Sequence, residues 1–378
     1  MKVSVLCFDL ADNAVARAWL LSRLLEPLGQ VEMVGPRYGE TVWTPIAAGS
    51  VPHRSVPGGK LPRLAATLPA LLRLADGDLI YASKPRLASA GVGYLKRLTT
   101  GRPLLLDIDD WEVGFFLRSG FWGTAGRALN LANPKGLPWT WLMERLTSLA
   151  DGITVASRFL ERKFGGVLVP HVRDTDAWRP GSGDPSEIRG RLGVGKERLV
   201  MFLGTPREYK GLEDLCAAVA RLARPDVALV LVGTEPGSPT GRRLATSYPG
   251  IRLVGRVPFD QVPAYLSAAD VVAVPQREST DTRGQVPAKI FDAMAVGRPV
   301  VSTRVSMIPE ILDGCGVLVP PGDVGELARG IALLLDAPDH AADLGARARE
   351  RCVARYSFAA ARRVLFPLVE RVMARRRR

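Results

Sequence analysis

The chain has 378 residues, long enough for two domains each with its own core, and its hydrophobic fraction of 47% against 24% charged residues excludes long disordered stretches. No apolar run reaches bilayer-spanning length, because Arg or Asp interrupts each one, and Cys7, Cys216, Cys315 and Cys352 are far apart with no C-x-x-C, which reads as reduced residues of a cytoplasmic protein. Lys plus Arg exceed Asp plus Glu by 51 minus 38, giving +13; the surplus favours an anionic partner, a membrane surface or a phosphorylated substrate, although a solvated basic tail at Arg375 to Arg378 accounts for it equally, and no recognition motif points to nucleic acid.

In chain order, Val3 to Phe8 reads as a strand, Asn13 to Leu28 as a helix ended by Gly29, and Val31 to Val34 as a second strand, together a βαβ unit. The N-terminus is therefore a first strand and not a signal peptide. Further strands are expected at Leu79 to Ala82, Pro103 to Ile108, Ile153 to Ala156 and Val167 to Val169, completing one doubly wound sheet. Asp107 and Asp109 form a D-x-D at the end of the fourth of these six; loops at the C-terminal edge of α/β strands gather sites, so Asp109 and Asp110 are candidates to line a substrate cleft, with no metal assigned to them. The segment Trp111 to Trp141 holds seven aromatics interleaved with Arg118, Arg127 and Lys135, a composition suited equally to core packing and to a membrane headgroup interface. Residues 172 to 190 read as a linker. Gly190 to Lys196 has the spacing G-x-x-x-x-G-K, but Glu197 stands where Ser or Thr is needed and the segment precedes a strand, so it is not a P-loop. His53, His171 and His340 show no metal-ligand spacing.

The second half repeats the alternation. Leu199 to Thr205 is a buried strand ending at Gly204, followed by Arg207, Lys210 and a helix over Gly211 to Arg224. Strands follow at Val227 to Gly233 and Ile251 to Val257, then a helix end and a strand within Tyr265 to Gln276. Pro287 opens a helix closed by Gly297, with a β-branched strand at Val300 to Thr303. Lys289 and Asp292, three apart, share one face near that helix's N-terminus, where free N–H groups favour an anion; a cation beside a hydroxyl-binding carboxylate suits a nucleotide sugar.

Five ordered elements carry a resemblance: GTPREYKG at Gly204 to Gly211, the strand ending IRLVGRV, YLSAADVVAVPQ, PAKIFDAMAVGRPVVST, and MIPEILDGCGVLVPP. Together they resemble the donor domain of glycosyltransferase family 4, over about residues 195 to 360. The resemblance implies a GT-B architecture. Two Rossmann-like doubly wound domains, 1–175 for the acceptor and 176–358 for the nucleotide-sugar donor, would face a cleft holding the active site, with the final helix, residues 359–378, returned to the first. It implies that Arg207 and Lys210 neutralise the departing diphosphate, that Arg256 and Val257 present backbone groups to the base, and that Gly284, Gln285 and Val286 lie beside the diphosphate with Lys289 and Asp292. On the acceptor side it implies Asp12, Asn13 and Arg17 after the first strand, and His171 where Asn is usual.

Two departures stand out. The first Glu of the family's E-x7-E motif falls on Gly284, and Asp292 is one methylene shorter than the second Glu. The expectation is a retaining, metal-independent transferase with no cofactor, moving a sugar from a nucleoside diphosphate to a hydroxyl of a glycan, lipid-linked or small-molecule acceptor. It would be cytoplasmic, peripheral on the inner membrane face if the aromatic and basic segments attach it. The alternatives are a silent nucleotide-sugar-binding partner of another transferase, suggested by Gly284, and a GT-B sugar-nucleotide epimerase.

Overall fold

A computed structural model of the chain describes residues 1–43, 51–117, 130–280 and 282–375. It divides into two compact units: Met1–Pro170 with Arg283–Gln285 and Ala361–Arg378, and His171–Thr282 with Val286–Ala360.

The first unit is built on strands β1 (Lys2–Leu6), β2 (Gln30–Arg37), β3 (His53–Pro57), β4 (Leu79–Ser83), β5 (Leu104–Ile108), β6 (Gly152–Val155) and β7 (Val167–Leu168). They form one sheet in the order β3-β2-β1-β4-β5-β6-β7 with every pairing parallel. Helices cover both faces of such a sheet, so its central strands are apolar throughout; LIYAS in β4 and LLLDI in β5 are buried at every residue. The core joins Leu6, Val34, Ile80, Leu106, Val155 and Leu160. Strand β3 escaped sequence reading because HRSVP buries only Val56 and carries no alternating apolar pattern. The first helix is shorter than expected, Val15–Leu25, because Pro27 lacks an N–H and the chain tightens into a 3-10 turn over Glu26–Leu28.

The second unit has β8 (Arg198–Leu203), β9 (Val227–Val232), β10 (Arg252–Val254), β11 (Val271–Val274), β12 (Val300–Thr303) and β13 (Val317–Val319), in the order β10-β9-β8-β11-β12-β13, again all parallel. This is the doubly wound order 3-2-1-4-5-6, with its topological switch point between β8 and β11. Val200, Phe202, Leu231, Val301, Ile331 and Leu344 make its core. β10 stops at Val254, short of the expected Val257, because Gly233 N–H is shared between the carbonyls of Val254 and Gly255 and the ladder ends there.

The segment expected as a linker is largely structured. Arg173 pairs with the chain at Ser357, donating to Tyr356 O at 2.9 Å and accepting from Phe358 N at 2.9 Å, so the second unit begins at His171. Asp184 then caps the helix Pro185–Arg191. The final helix, Phe358–Arg375, reaches the first unit from Ala361 onward. There Arg362 donates to the carbonyls of Leu24 and Arg23, each at 3.0 Å, and a Cβ on Gly152 would stand 3.1 Å from Leu368 and 3.2 Å from Val372, which is why that strand opens with glycine.

Candidate functional site

In the second unit, the sheet's C-terminal edge at the switch point gathers cations. A Cβ on Gly204, one residue beyond β8, would lie 3.1 Å from Lys289 Cε and 3.7 Å from Lys210 Nζ, so both ammonium-bearing side chains converge over a backbone that has no side chain of its own. Lys210 Nζ donates to Thr205 O at 2.7 Å. Burial pulls the Lys289 ammonium below its usual range; the nearby Asp292 carboxylate opposes that shift and Arg173 adds to it. Lys289 stands in the first turn of the helix Ala288–Ala295, whose N-cap is Pro287 with no side-chain cap, so no capping side chain covers the N–H groups of that first turn. Arg207, just before the 3-10 turn Glu208–Lys210, is exposed.

The loop carrying these cations is braced. Gly211 sits at φ +67°, and a Cβ there would be 2.0 Å from Pro275 O, so only glycine lets the loop close against β11's end. Arg277 forks onto Asp214, with Nε to Oδ2 at 2.7 Å and Nη2 to Oδ1 at 2.6 Å, while its N–H bonds Tyr209 O at 2.7 Å. Together these clamps fix the approach of Lys210.

Asp292 faces inward. The residue is 1% exposed and its carboxylate accepts from Arg173 Nε, whose guanidinium also donates to Val172 O at 2.7 Å and Ala288 O at 3.3 Å and lies over the rings of Trp178 and Phe259. The carboxylate expected to meet ribose is thus the partner of an arginine that sequence reading did not single out, 119 residues away. His171, two residues before Arg173, is half-buried. Arg256 is exposed, with its N–H donating to Glu235 Oε1 at 3.1 Å, and Val257 is half-buried. Val286 is buried in the second unit, whereas Gly284 and Gln285 group with the first. There Gly284 O accepts from Ser157 Oγ at 2.9 Å, and a Cβ at 284 would stand 3.0 Å from Trp111 Cβ and 3.2 Å from Phe159 Cδ1. A side chain at this position would press on Trp111 and Phe159, which would have to yield by a few tenths of an ångström, at the place where the first Glu is missing.

In the first unit, Asp12 accepts from Ala14 N at 2.9 Å in the turn that starts the first helix, and Asn13 is exposed beside it. Arg17 is 2% exposed and forks onto Asp107, Nε to Oδ2 at 2.9 Å and Nη2 to Oδ1 at 2.8 Å, with further bonds to the carbonyls of Val169 and Pro170. Arg17 therefore ties β5 to the end of β7, a placement the sequence did not reveal. Asp109 and Asp110 join Glu112, their ligand-capable oxygens within 4.8 Å of one another. The point among them is taken by the Lys84 ammonium, 2.6 Å from Asp109, 2.8 Å from Asp110 and 2.9 Å from Glu112. Burial pushes the Asp109 carboxyl up to about 7, with Lys84 opposing and Asp110 and Asp107 adding; Glu112, despite its burial, is held down to about 2 by Arg86 and Lys84. A proton on Asp109 leaves two carboxylates against Lys84 and Arg86 and makes the buried cluster neutral. Lys84 itself has φ +70°, strain that a β-strand end holds in place and that no sequence motif announces.

All four cysteines are free and buried. Among the described residues no helix is long and apolar enough to cross a membrane. Of the aromatic segment, residues 118–129 lie outside the described residues, as do 376–378 of the basic tail; Leu131 is 58% and Trp141 49% exposed, and Arg145 stacks on the Trp141 ring.

Residues 197–337 match the family described as glycosyl transferases group 1. Over 225 residues the chain is 30% identical to the GDP-mannose-dependent alpha-(1-6)-phosphatidylinositol monomannoside mannosyltransferase of Mycolicibacterium smegmatis, a match covering 55% of this chain and 59% of that relative. The chain thus matches only somewhat more than half the length of that relative. Among solved structures it resembles sucrose-phosphate synthase from Thermosynechococcus elongatus, with TM-score 0.72, 21% identity and 99% of both chains covered. It also resembles Anabaena HepE in complex with UDP-glucose, with TM-score 0.75, 19% identity, and 99% of this chain and 100% of that one covered. At these identities the likeness establishes the fold, GT-B. Sheet order and family match agree on the second unit, which over residues 197–337 carries a glycosyl transferases group 1 domain.

Proposed function

We propose that the protein transfers a hexosyl group from a nucleoside-diphosphate sugar to a hydroxyl acceptor, with retention and without a metal. The observation that carries this is the convergence of Lys210 and Lys289 over the bare backbone of Gly204, beside an uncapped helix N-terminus at the switch point. As the bond from the anomeric carbon to the diphosphate oxygen breaks, negative charge grows on the departing phosphate. Lys210, Lys289 and the exposed Arg207 supply fixed positive charge there, and the first-turn N–H groups add donors, so the pyrophosphate's charge is met without a bound cation. The mannosyltransferase relative and the UDP-glucose complex of HepE support a sugar-nucleotide donor. The experiment is turnover of GDP-mannose and UDP-glucose by purified protein, with a lipid or glycan extract as acceptor and with EDTA present. Arg207→Ala and Lys210→Ala should each lower kcat about 100-fold or more, some 3 kcal/mol of transition-state stabilisation, while leaving the fold intact. Wild-type turnover in both variants would refute the assignment.

A silent nucleotide-sugar-binding partner remains the second reading, favoured by Gly284, which stands where the first Glu of E-x7-E falls and where a Cβ would sit tightly against Trp111 and Phe159. Donor binding with no transfer across the acceptor screen would select it. For the acceptor we propose a lipid-linked or membrane-proximal hydroxyl compound, supported by exposed Leu131 and Trp141 beside Arg145 and by the net charge of +13. Flotation with anionic liposomes at low salt, lost at high salt, is the expected result; no flotation at low salt would point to a soluble acceptor.

A further inference from the structure

The strand ends on one side of the switch point form a row in register. Leu203 pairs with Val232 and Val232 with Val254, so the residues that follow, Gly204, Gly233 and Gly255, stand side by side along the edges of β8, β9 and β10. Gly233 is pressed against Gly204, where a Cβ would lie 2.7 Å from Gly204 O, and its N–H reaches Gly255 O at 3.1 Å. The lysines converge at the Gly204 end. Two strand spacings away, about 10 Å, the Gly255 end is occupied differently: a Cβ there would be 2.7 Å from Glu235 Oε1 and 2.6 Å from Oε2, so glycine at 255 admits a carboxylate directly onto the backbone. Arg256 N–H, donating to Oε1 at 3.1 Å, pins that carboxylate, and Glu235 remains exposed. A diphosphate held by Lys210 and Lys289 with its nucleoside laid along this edge would bring the base toward a fixed negative charge.

We propose that Glu235 selects a guanine nucleotide, its carboxylate accepting from the base's N1–H and 2-amino group; the proposal rests on the donor site described above. Guanine alone among the common bases presents two adjacent donors to a carboxylate. Uracil offers one N–H flanked by two carbonyl oxygens that a carboxylate repels, and adenine and cytosine set a ring acceptor beside their amino group. Oε1 keeps lone-pair capacity after accepting from Arg256, so both oxygens can serve. The carboxylate that decides the base would therefore be anchored by the same backbone it stands on, and one glycine makes that possible.

Calorimetry with GDP, IDP and UDP on the full chain and on Glu235→Gln tests this, with circular dichroism to check folding. IDP lacks only the 2-amino group of GDP. The wild type should bind GDP about tenfold or more tighter than IDP, and IDP tighter than UDP. In Glu235→Gln the GDP affinity should fall about tenfold or more, the GDP-to-IDP ratio should collapse toward unity, and UDP affinity should hold or rise. UDP binding as tight as GDP in the wild type, or an unchanged GDP-to-IDP ratio in the variant, would overturn the proposal while leaving the donor site standing. Failure of the wild type to bind any of the three nucleotides would instead overturn the donor reading itself.

Discussion

Replacing Asp292 with Ala tests whether this carboxylate is a structural partner or a ligand contact. Arg173 and Asp292 are both almost wholly buried, with side chains 8% and 2% exposed, so removing the acid strands a desolvated guanidinium. Breaking a buried ion pair from one side costs about 3 to 5 kcal/mol. Arg173 keeps its bonds to Val172 O and Ala288 O and its position over Trp178 and Phe259, which places the loss at the lower end, about 3 kcal/mol. For a unit of this size that is a fall of roughly 6 to 12 °C in the melting temperature of the second unit. Arg173→Met should cost a similar amount by stranding the carboxylate. The double variant should lose well under the sum, with a coupling of about 2 kcal/mol in a urea-unfolding cycle. A carboxylate reserved for ribose predicts the opposite pattern: weaker nucleotide binding with stability unchanged. Additive losses, or a melting temperature within about 2 °C of wild type, would refute the structural reading and return Asp292 to the donor.

Two further outcomes follow from the geometry. Gly211→Ala should destabilise the second unit by about 3 kcal/mol or more, combining left-handed backbone strain with a clash against Pro275 O, whereas Gly181→Ala, also at positive φ but with nothing within 4 Å, should cost about 1 kcal/mol; equal losses in chemical denaturation would show that the loop closure needs no glycine. Asp109, raised from 3.8 to about 7 in the folded chain, stabilises the fold while protonated, a contribution fully present below about pH 4 and lost as pH rises through 7. Asp109→Asn should therefore gain stability relative to wild type between pH 5 and pH 8, read as a growing difference in melting temperature; a difference that does not change with pH would refute the burial argument.

Much of the second unit is legible in its sequence because its site is built from neighbours. Gly204, Arg207, Lys210 and Gly211 occupy a single strand-loop-helix turn, and Lys289 opens the helix that Pro287 starts, so spacing along the chain fixes which groups share a strand end or a helix face. The apolar runs of β4, β5, β8 and β9 likewise announce buried parallel strands, since both faces of such a sheet must be covered. What spacing cannot supply is the partner of a charge. Arg17 meets Asp107 across 90 residues and Arg173 meets Asp292 across 119, pairings set by which strand ends the sheet order brings together. Lys84 carries no motif, and its role is visible only once β4 and β5 lie side by side and deliver Asp109, Asp110 and Glu112 around its ammonium. The alternation of strands and helices and the cation-bearing loop after β8 are legible along the chain, because they depend on contacts within a few residues. Which ionised groups are spent on one another is settled by packing in three dimensions, because burial forces distant charges to pair, and that turns Asp292 inward while leaving Arg207 and Glu235 exposed at the strand ends.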